Sequence, residues 1–273
     1  MKLNNLRLYN FRSYGEASFE FSPTINIISG PNGTGKTTVL EAINNLSLAR
    51  SFRTNNYRHL IKTDANEYRV QGTAYESRPV SIQVSCNTEG ERRLYLDDAR
   101  LASIKELIGH FPCVVLQPED LSLVQEGNSG RRSLVDRILS VTNPHYLNGL
   151  LKYRHIIRQR NQAIRQSRND AVEITIWNTA LAETAELIWA LRAEFFIKYE
   201  QHFQRIWDSY NSGLEAALIY KADVEPEHKQ AAYLELLEKN LATDIRTRRT
   251  TRGPHGDKIL CLQIGRASCR ERV

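Results

Sequence analysis

An α/β fold with an antiparallel β subdomain, interrupted by a long helical arm, is predicted by three observations. Residues 1–120 are rich in short, alternating apolar runs. A glycine-rich loop, Gly30-Pro31-Asn32-Gly33-Thr34-Gly35-Lys36-Thr37, stands between a β-branched run and a helical pattern. From Gly130 to about Asn240 the apolar period becomes helical, with little strand signal.

In chain order, Leu3–Tyr9 and Ala17–Phe21 alternate as half-buried strands, and Ile25–Ile28 is a short β-branched strand leading into the loop. Thr37–Ala49 carries Val39, Leu40, Ile43, Leu46 and Leu48 at helical spacing. Tyr68–Tyr75 and Val80–Cys86 read as further strands. Arg93–Leu101 reads as a hairpin turning at Asp97-Asp98, and Ile104–Ile108 as a short helix. Phe111–Leu116 is a short apolar run of the buried-strand kind. Beyond it, Leu134, Ile138 and Leu139 open a helix that breaks at Asn143-Pro144, and Ile156, Ile157 and Ile164 continue the pattern. Trp177, Leu181, Ile188, Leu191, Phe195, Tyr199, Phe203 and Ile206 form one long amphipathic stripe. A helix over Gln230–Lys239 and a strand over Lys258–Ile264 follow. Residues 265–273 show no apolar periodicity and read as a non-native tail.

The loop is a complete G-x-x-x-x-G-K-[ST] motif, which a chain of this length meets by chance about one time in a hundred. Such a loop turns successive backbone N–H groups onto phosphate oxygens, and the following helix adds its dipole. Lys36 is placed to reach the β- and γ-phosphates of a nucleoside triphosphate, and Thr37 to bind Mg²⁺ through its hydroxyl. ATP and Mg²⁺ are therefore the expected ligands. Hydrolysis also needs an acidic residue at a strand end. Asp97-Asp98 and the stretch Val114 to Asp120 mimic that arrangement, but Asp97-Asp98 suits a hairpin turn at least as well. Gln117 could hold Mg²⁺ or its water, while Glu119 and Asp120 suit a cap on the next turn. Arg12, Arg50 and Arg53 flank the loop's elements, and arginine suits bidentate phosphate contact.

Composition is that of a globular chain: 273 residues, 41% hydrophobic and 25% charged. No apolar run approaches the ~20 residues of a membrane span. The first residues lack a signal-peptide core. Cys86, Cys113, Cys261 and Cys269 are too scattered for a zinc site. The expectation is a cytoplasmic protein. Net charge is +6, unevenly spread. Residues 121–170 hold nine basic side chains against three acids, and residues 241–273 hold eight against three. That distribution suggests a polyanionic partner, nucleic acid first, against the equal alternative of a solvated helical face. Arg131, Arg132, Arg154, Arg158, Arg160 and Arg165 are the candidate DNA contacts. A phosphotransferase using the same loop, or an inert fragment, are the rival readings.

Several segments in order carry a family likeness: Met1-Lys2-Leu3 through Asn10-Phe11-Arg12-Ser13-Tyr14, the loop through Thr38, and Ser51-Phe52-Arg53-Thr54. So do Pro118-Glu119-Asp120-Leu121, Arg131-Arg132-Ser133-Leu134-Val135-Asp136 and Gly253-Pro254-His255. Together they closely resemble the RecF family, recombinational-repair ATPases related to SMC and ABC proteins. The resemblance implies an ABC/SMC-type P-loop ATPase head beginning in residues 1–120, a helical arm over 121–249, and a return strand to the head over 250–264. It implies ATP-driven homodimerisation, binding of double-stranded DNA at single-strand junctions, and cooperation with RecO and RecR in loading RecA. Carried over by position, Arg12, Asn32–Thr38 and Arg50 or Arg53 would contact nucleotide, and Gln117 would sit at the Mg²⁺-binding Q-loop. Glu126-Gly127-Asn128 departs from the family's Gly-small-Pro turn. The ABC signature loop and Walker-B pair are absent from these residues, so the chain resembles a truncated member, expected to hydrolyse ATP poorly.

Overall fold

The computed structural model describes residues 1–121, 123, 127–166, 171–210, 215–224 and 229–264. The tail over 265–273 and Glu126 of the departing turn lie outside them. The chain divides into two units, Met1–Leu116 and Gln117–Val273.

The first unit is built on strands β1 (Lys2–Phe11), β2 (Tyr14–Glu20), β3 (Glu67–Tyr75), β4 (Pro79–Asn87), β5 (Arg92–Leu96) and β6 (Ala99–Leu101). They form one antiparallel sheet in the order β2-β1-β3-β4-β5-β6. Alternation sends Leu6, Leu8, Val70, Ile82 and Val84 to the buried face. Helix α1 (Lys36–Leu48) covers that face with Val39, Ala42 and Leu46, and α2 (Ile104–Leu107) adds Leu107. Each valine, leucine or isoleucine among them, fully buried, contributes about 1.5–3 kcal/mol. Helix and sheet meet most closely at Gly72, where a Cβ would stand 2.5 Å from Leu46 Cδ1. The hairpin turns where the sequence predicts it: Asp97 and Asp98 both take left-handed φ, 47° and 63°, as a two-residue turn of I′ type requires. The Asp97 carboxylate accepts from the Ser81 N–H and pairs with Arg78, so its acidity serves the hairpin.

Two expected strands are corrected. Ile25–Ile28 and Phe111–Leu116 join no ladder among the described residues. Ile27 is 86% and Val114 90% exposed, although Phe111 is buried in the core. A β-branched run becomes a strand only where a neighbour supplies complementary N–H and C=O groups.

The second unit is mainly helical: α3 (Asn128–Thr142), α4 (Pro144–Gln166), α5 (Ala171–Thr175), α6 (Asn178–Ser209), α7 (Lys229–Lys239) and α8 (Leu241–Thr247). The Asn143-Pro144 break is a helix start. Asn143 Oδ1 accepts from the N–H groups of His145 and Tyr146, and Pro144 takes the first helical position. The stripe on α6 buries Leu181 and Ile188 with Tyr146, Leu150, Tyr153 and Ile156 of α4. Its end does not: Ile206 is exposed.

A strand missed by the sequence reading, β7 (Glu215–Lys221), pairs along its whole length with β8 (Lys258–Ile264). The segment expected as a return strand to the head thus pairs inside the second unit. The two strands are antiparallel, and alternation buries Ala216 and Leu218 on one face. Between α8 and β8, Asp257 is fully buried and accepts from Trp189 Nε1 (2.9 Å), Arg192 (2.5 Å), the Tyr220 hydroxyl (2.6 Å) and the Asp223 N–H (3.0 Å).

Candidate nucleotide-binding site

The loop at residues 30–37 turns through glycines of positive φ at 30, 33 and 35 onto the start of α1. Gly33 and Gly35 hold φ of 85° and 91°, a region costly to any residue with a Cβ. Gly35 is doubly constrained, since a Cβ there would stand 2.8 Å from the Tyr14 ring. The Tyr14 hydroxyl reaches the Thr34 carbonyl at 3.4 Å, so β2 braces the loop from below. Thr34 Oγ1 donates to the Pro31 carbonyl at 2.9 Å. The first helical bonds, from Thr38 and Val39, both go to the Gly35 carbonyl. The N–H groups of residues 33–37 have no acceptor among the described residues, which is the arrangement an acceptor-rich anion needs. Lys36 Nζ donates to the carbonyls of Gly30 (2.8 Å) and Pro31 (2.6 Å). An ammonium has three donors, so one remains for a ligand. The Thr37 hydroxyl is exposed and makes no bond among the described residues. Donor-only backbone, one cation and a free hydroxyl fit a triphosphate tail and its Mg²⁺.

Arg12 does not stand free. It takes a left-handed φ of 54° at the end of β1. Its guanidinium forms a fork on Glu41 of α1, Nε to Oε2 at 2.9 Å and Nη2 to Oε1 at 2.6 Å. Glu41 is fully buried and also accepts from the Ser51 hydroxyl, while Arg53 approaches at 3.8 Å. Ser51 Oγ in turn accepts from the N–H groups of Arg53 and Thr54. The sequence reading missed Glu41. Its signal was a carboxylate sharing a helix face with Thr38, Ala42 and Asn45, all buried; a charge there needs a partner. Arg50 is exposed, and its carbonyl accepts from Asn44 Nδ2.

Gln117 opens the second unit, its backbone N–H donating to Asp120 Oδ2 at 2.9 Å, so Asp120 closes this turn as expected. The candidate DNA contacts divide. Arg131 and Arg160 are corrected, because both are buried inside the fold. Arg131 donates to the carbonyls of Leu123 and Ile259. Arg160 is fully buried, pairing with Asp244 at 2.7 Å and bonding Asn178 and Thr250. Donors engaged inside the fold are unavailable to phosphate, and Arg160 Nη2, although it has no partner among the described residues, is itself buried. Arg154 is exposed but paired with Asp136 at 3.0 Å. Arg132 is half-buried and donates to the Asp257 carbonyl, whereas Arg158 and Arg165 are exposed without a partner among the described residues. His255 lies in the tight turn Pro254–Gly256. It bonds the Tyr153 hydroxyl and the Thr250 carbonyl, and burial pushes its pKa below the usual histidine value. No helix among the described residues is long and apolar enough to cross a membrane.

Known proteins match this architecture. Residues 5–246 match the AAA_23 family, described as an AAA domain. The chain is 30% identical to the DNA replication and repair protein RecF of Leptospira interrogans, over 95% of its own length and 71% of that protein. It is 32% identical to RecF of Moorella thermoacetica, over 94% and 69%. The solved structure of the recombination mediator protein RecF-ATP in the RecFOR pathway matches with a TM-score of 0.90 and 26% identity. That match covers 99% of this chain and 77% of the other. An SMC head bound to the C-winged helix domain of ScpA matches at 0.50 and 18% identity, a likeness of fold alone, covering 96% and 67%. The loop, its covering helix and the family match define the class, an AAA domain carrying a phosphate-binding loop motif. Within that class, the chain belongs to the RecF family.

Proposed function

We propose that this chain binds ATP with Mg²⁺ and acts in recombinational repair as an ATP-dependent DNA-binding protein. In this reading Gly30–Thr38 hold the triphosphate, Thr37 holds Mg²⁺ through its hydroxyl, and Arg53 lies within reach of the nucleotide. Arg12 is a positioning residue that ties β1 to α1 through Glu41. Residues 1–120 supply the N-terminal part of the head and the helices beyond it the arm. The DNA is duplex near single-strand gaps, RecO and RecR are the partners in loading RecA, and ATP drives pairing of two heads. The observation that carries the reading is the run of unengaged N–H groups over residues 33–37 with Lys36 beside them. The relatives named for DNA replication and repair support the pathway, and the basic segments support a polyanion. In this reading no Walker-B carboxylate serves the loop among the described residues, and turnover is slow.

Lys36→Ala tests the reading. Removing a charge-assisted donor costs up to about 3 kcal/mol, a weakening of about a hundredfold in ATP affinity. Titration calorimetry measures it, with the melting curve as a control for folding. Unchanged affinity would refute the loop assignment.

A further inference from the structure

A cleft of about 430 Å³ opens in the second unit between α3, α4 and the Pro254-His255 turn. Ser129, Arg132 and Ser133 line it from α3, and Arg154 and Arg158 from α4. Its charges do not balance. Arg154 and Arg192 share Asp136, and Arg192 also pairs with Asp257. Arg132 and Arg158 have no carboxylate within ion-pair distance among the described residues. Arg132 is half-buried, and its one bond among the described residues, to the Asp257 carbonyl, offsets no charge. Burial and the nearby Arg192 charge lower its pKa, outweighing the carboxylates of Asp257 and Asp136, which raise it. The Ser129 and Ser133 hydroxyls are exposed and unengaged among the described residues.

We propose that this cleft is a second anion site that takes a phosphate group, held by Arg132 and Arg158 with the two serine hydroxyls. Two unneutralised guanidinium groups and two hydroxyls outnumber the two oxygens and single charge of a carboxylate. They match a phosphate, with more oxygens and a charge of up to about two. The phosphate comes either from a duplex DNA backbone or from a free polyphosphate. The site belongs wholly to the second unit, so it stands or falls separately from the loop around Lys36.

The test uses the full chain carrying Lys36→Ala, so that the loop does not contribute. Binding of inorganic pyrophosphate is measured by calorimetry, and binding of a short blunt DNA duplex by fluorescence anisotropy across a salt series. Arg158→Gln, at an exposed residue without a partner among the described ones, is the main variant. Arg132→Gln is the second, accepted only where the melting curve matches the parent. A loss of about tenfold in pyrophosphate affinity on Arg158→Gln identifies a free-polyphosphate site. A loss confined to the duplex, with the slope of log K against log salt shallower by about 0.9, identifies a backbone phosphate. If neither probe responds to Arg158→Gln, or neither binds the Lys36→Ala chain, the proposal is overturned.

Discussion

Glu41→Gln is expected to destabilise the first unit by about 3 kcal/mol, and the geometry sets that figure. Glu41 is fully buried, and both its oxygens are engaged by Arg12, one of them also by Ser51. Glutamine keeps the shape but turns one oxygen into a donor that faces other donors. Breaking a buried ion pair costs about 3–5 kcal/mol. The Arg12 side chain retains 21% exposure, which lets water recover part of the loss and favours the lower end. At about 4 °C or more per kcal/mol for a unit near 100 residues, the melting transition should fall by roughly 12 °C. Thermal and urea melts followed by circular dichroism measure this. The double change Arg12→Met with Glu41→Met leaves no orphaned charge and should recover much of the loss. A Glu41→Gln protein that melts like the parent, or a double variant weaker than the sum of its singles, would refute the reasoning.

Gly35→Ala should abolish ATP binding while the second unit stays folded, because the left-handed φ and the Tyr14 ring together leave no room for a methyl group. Retained affinity in calorimetry would show that the loop tolerates another shape. For pH, the sign follows from His255, whose pKa is lowered by burial. Above the unfolded value of about 6.5 both states are neutral. Below it the unfolded chain takes up a proton that the folded chain resists, so stability falls as pH drops toward the folded pKa. Urea midpoints between neutral and mildly acid pH should decline, and His255→Gln should flatten the decline; an equal decline in both proteins assigns it elsewhere.

What the sequence made legible was local. The phosphate loop, the helix behind it, the Asp97-Asp98 turn and the Asn143-Pro144 start each depend on a few neighbouring residues whose chemistry permits little else. What escaped depends on partners distant in sequence. The strand β7 is a seven-residue element between long helices, and its ladder partner lies past α8. Ile25–Ile28 has strand composition without a strand beside it. Counting charges treated Arg131 and Arg160 like Arg158, since a tally of cations carries no information about which are enclosed. Arg12 flanks the loop's elements in the sequence, but its tether is not legible there, because a lone glutamate in a helix reads as surface.

Asp257 carries a consequence for motion. One carboxylate gathers two residues of α6, a tyrosine of β7 and the backbone just beyond that strand. None of these segments can open alone without stranding a partner in a dry interior, so their fluctuations are coupled into one cooperative event. Slow-exchanging amides in α6 and β7 would then share a single opening free energy, and the second unit would melt as a block.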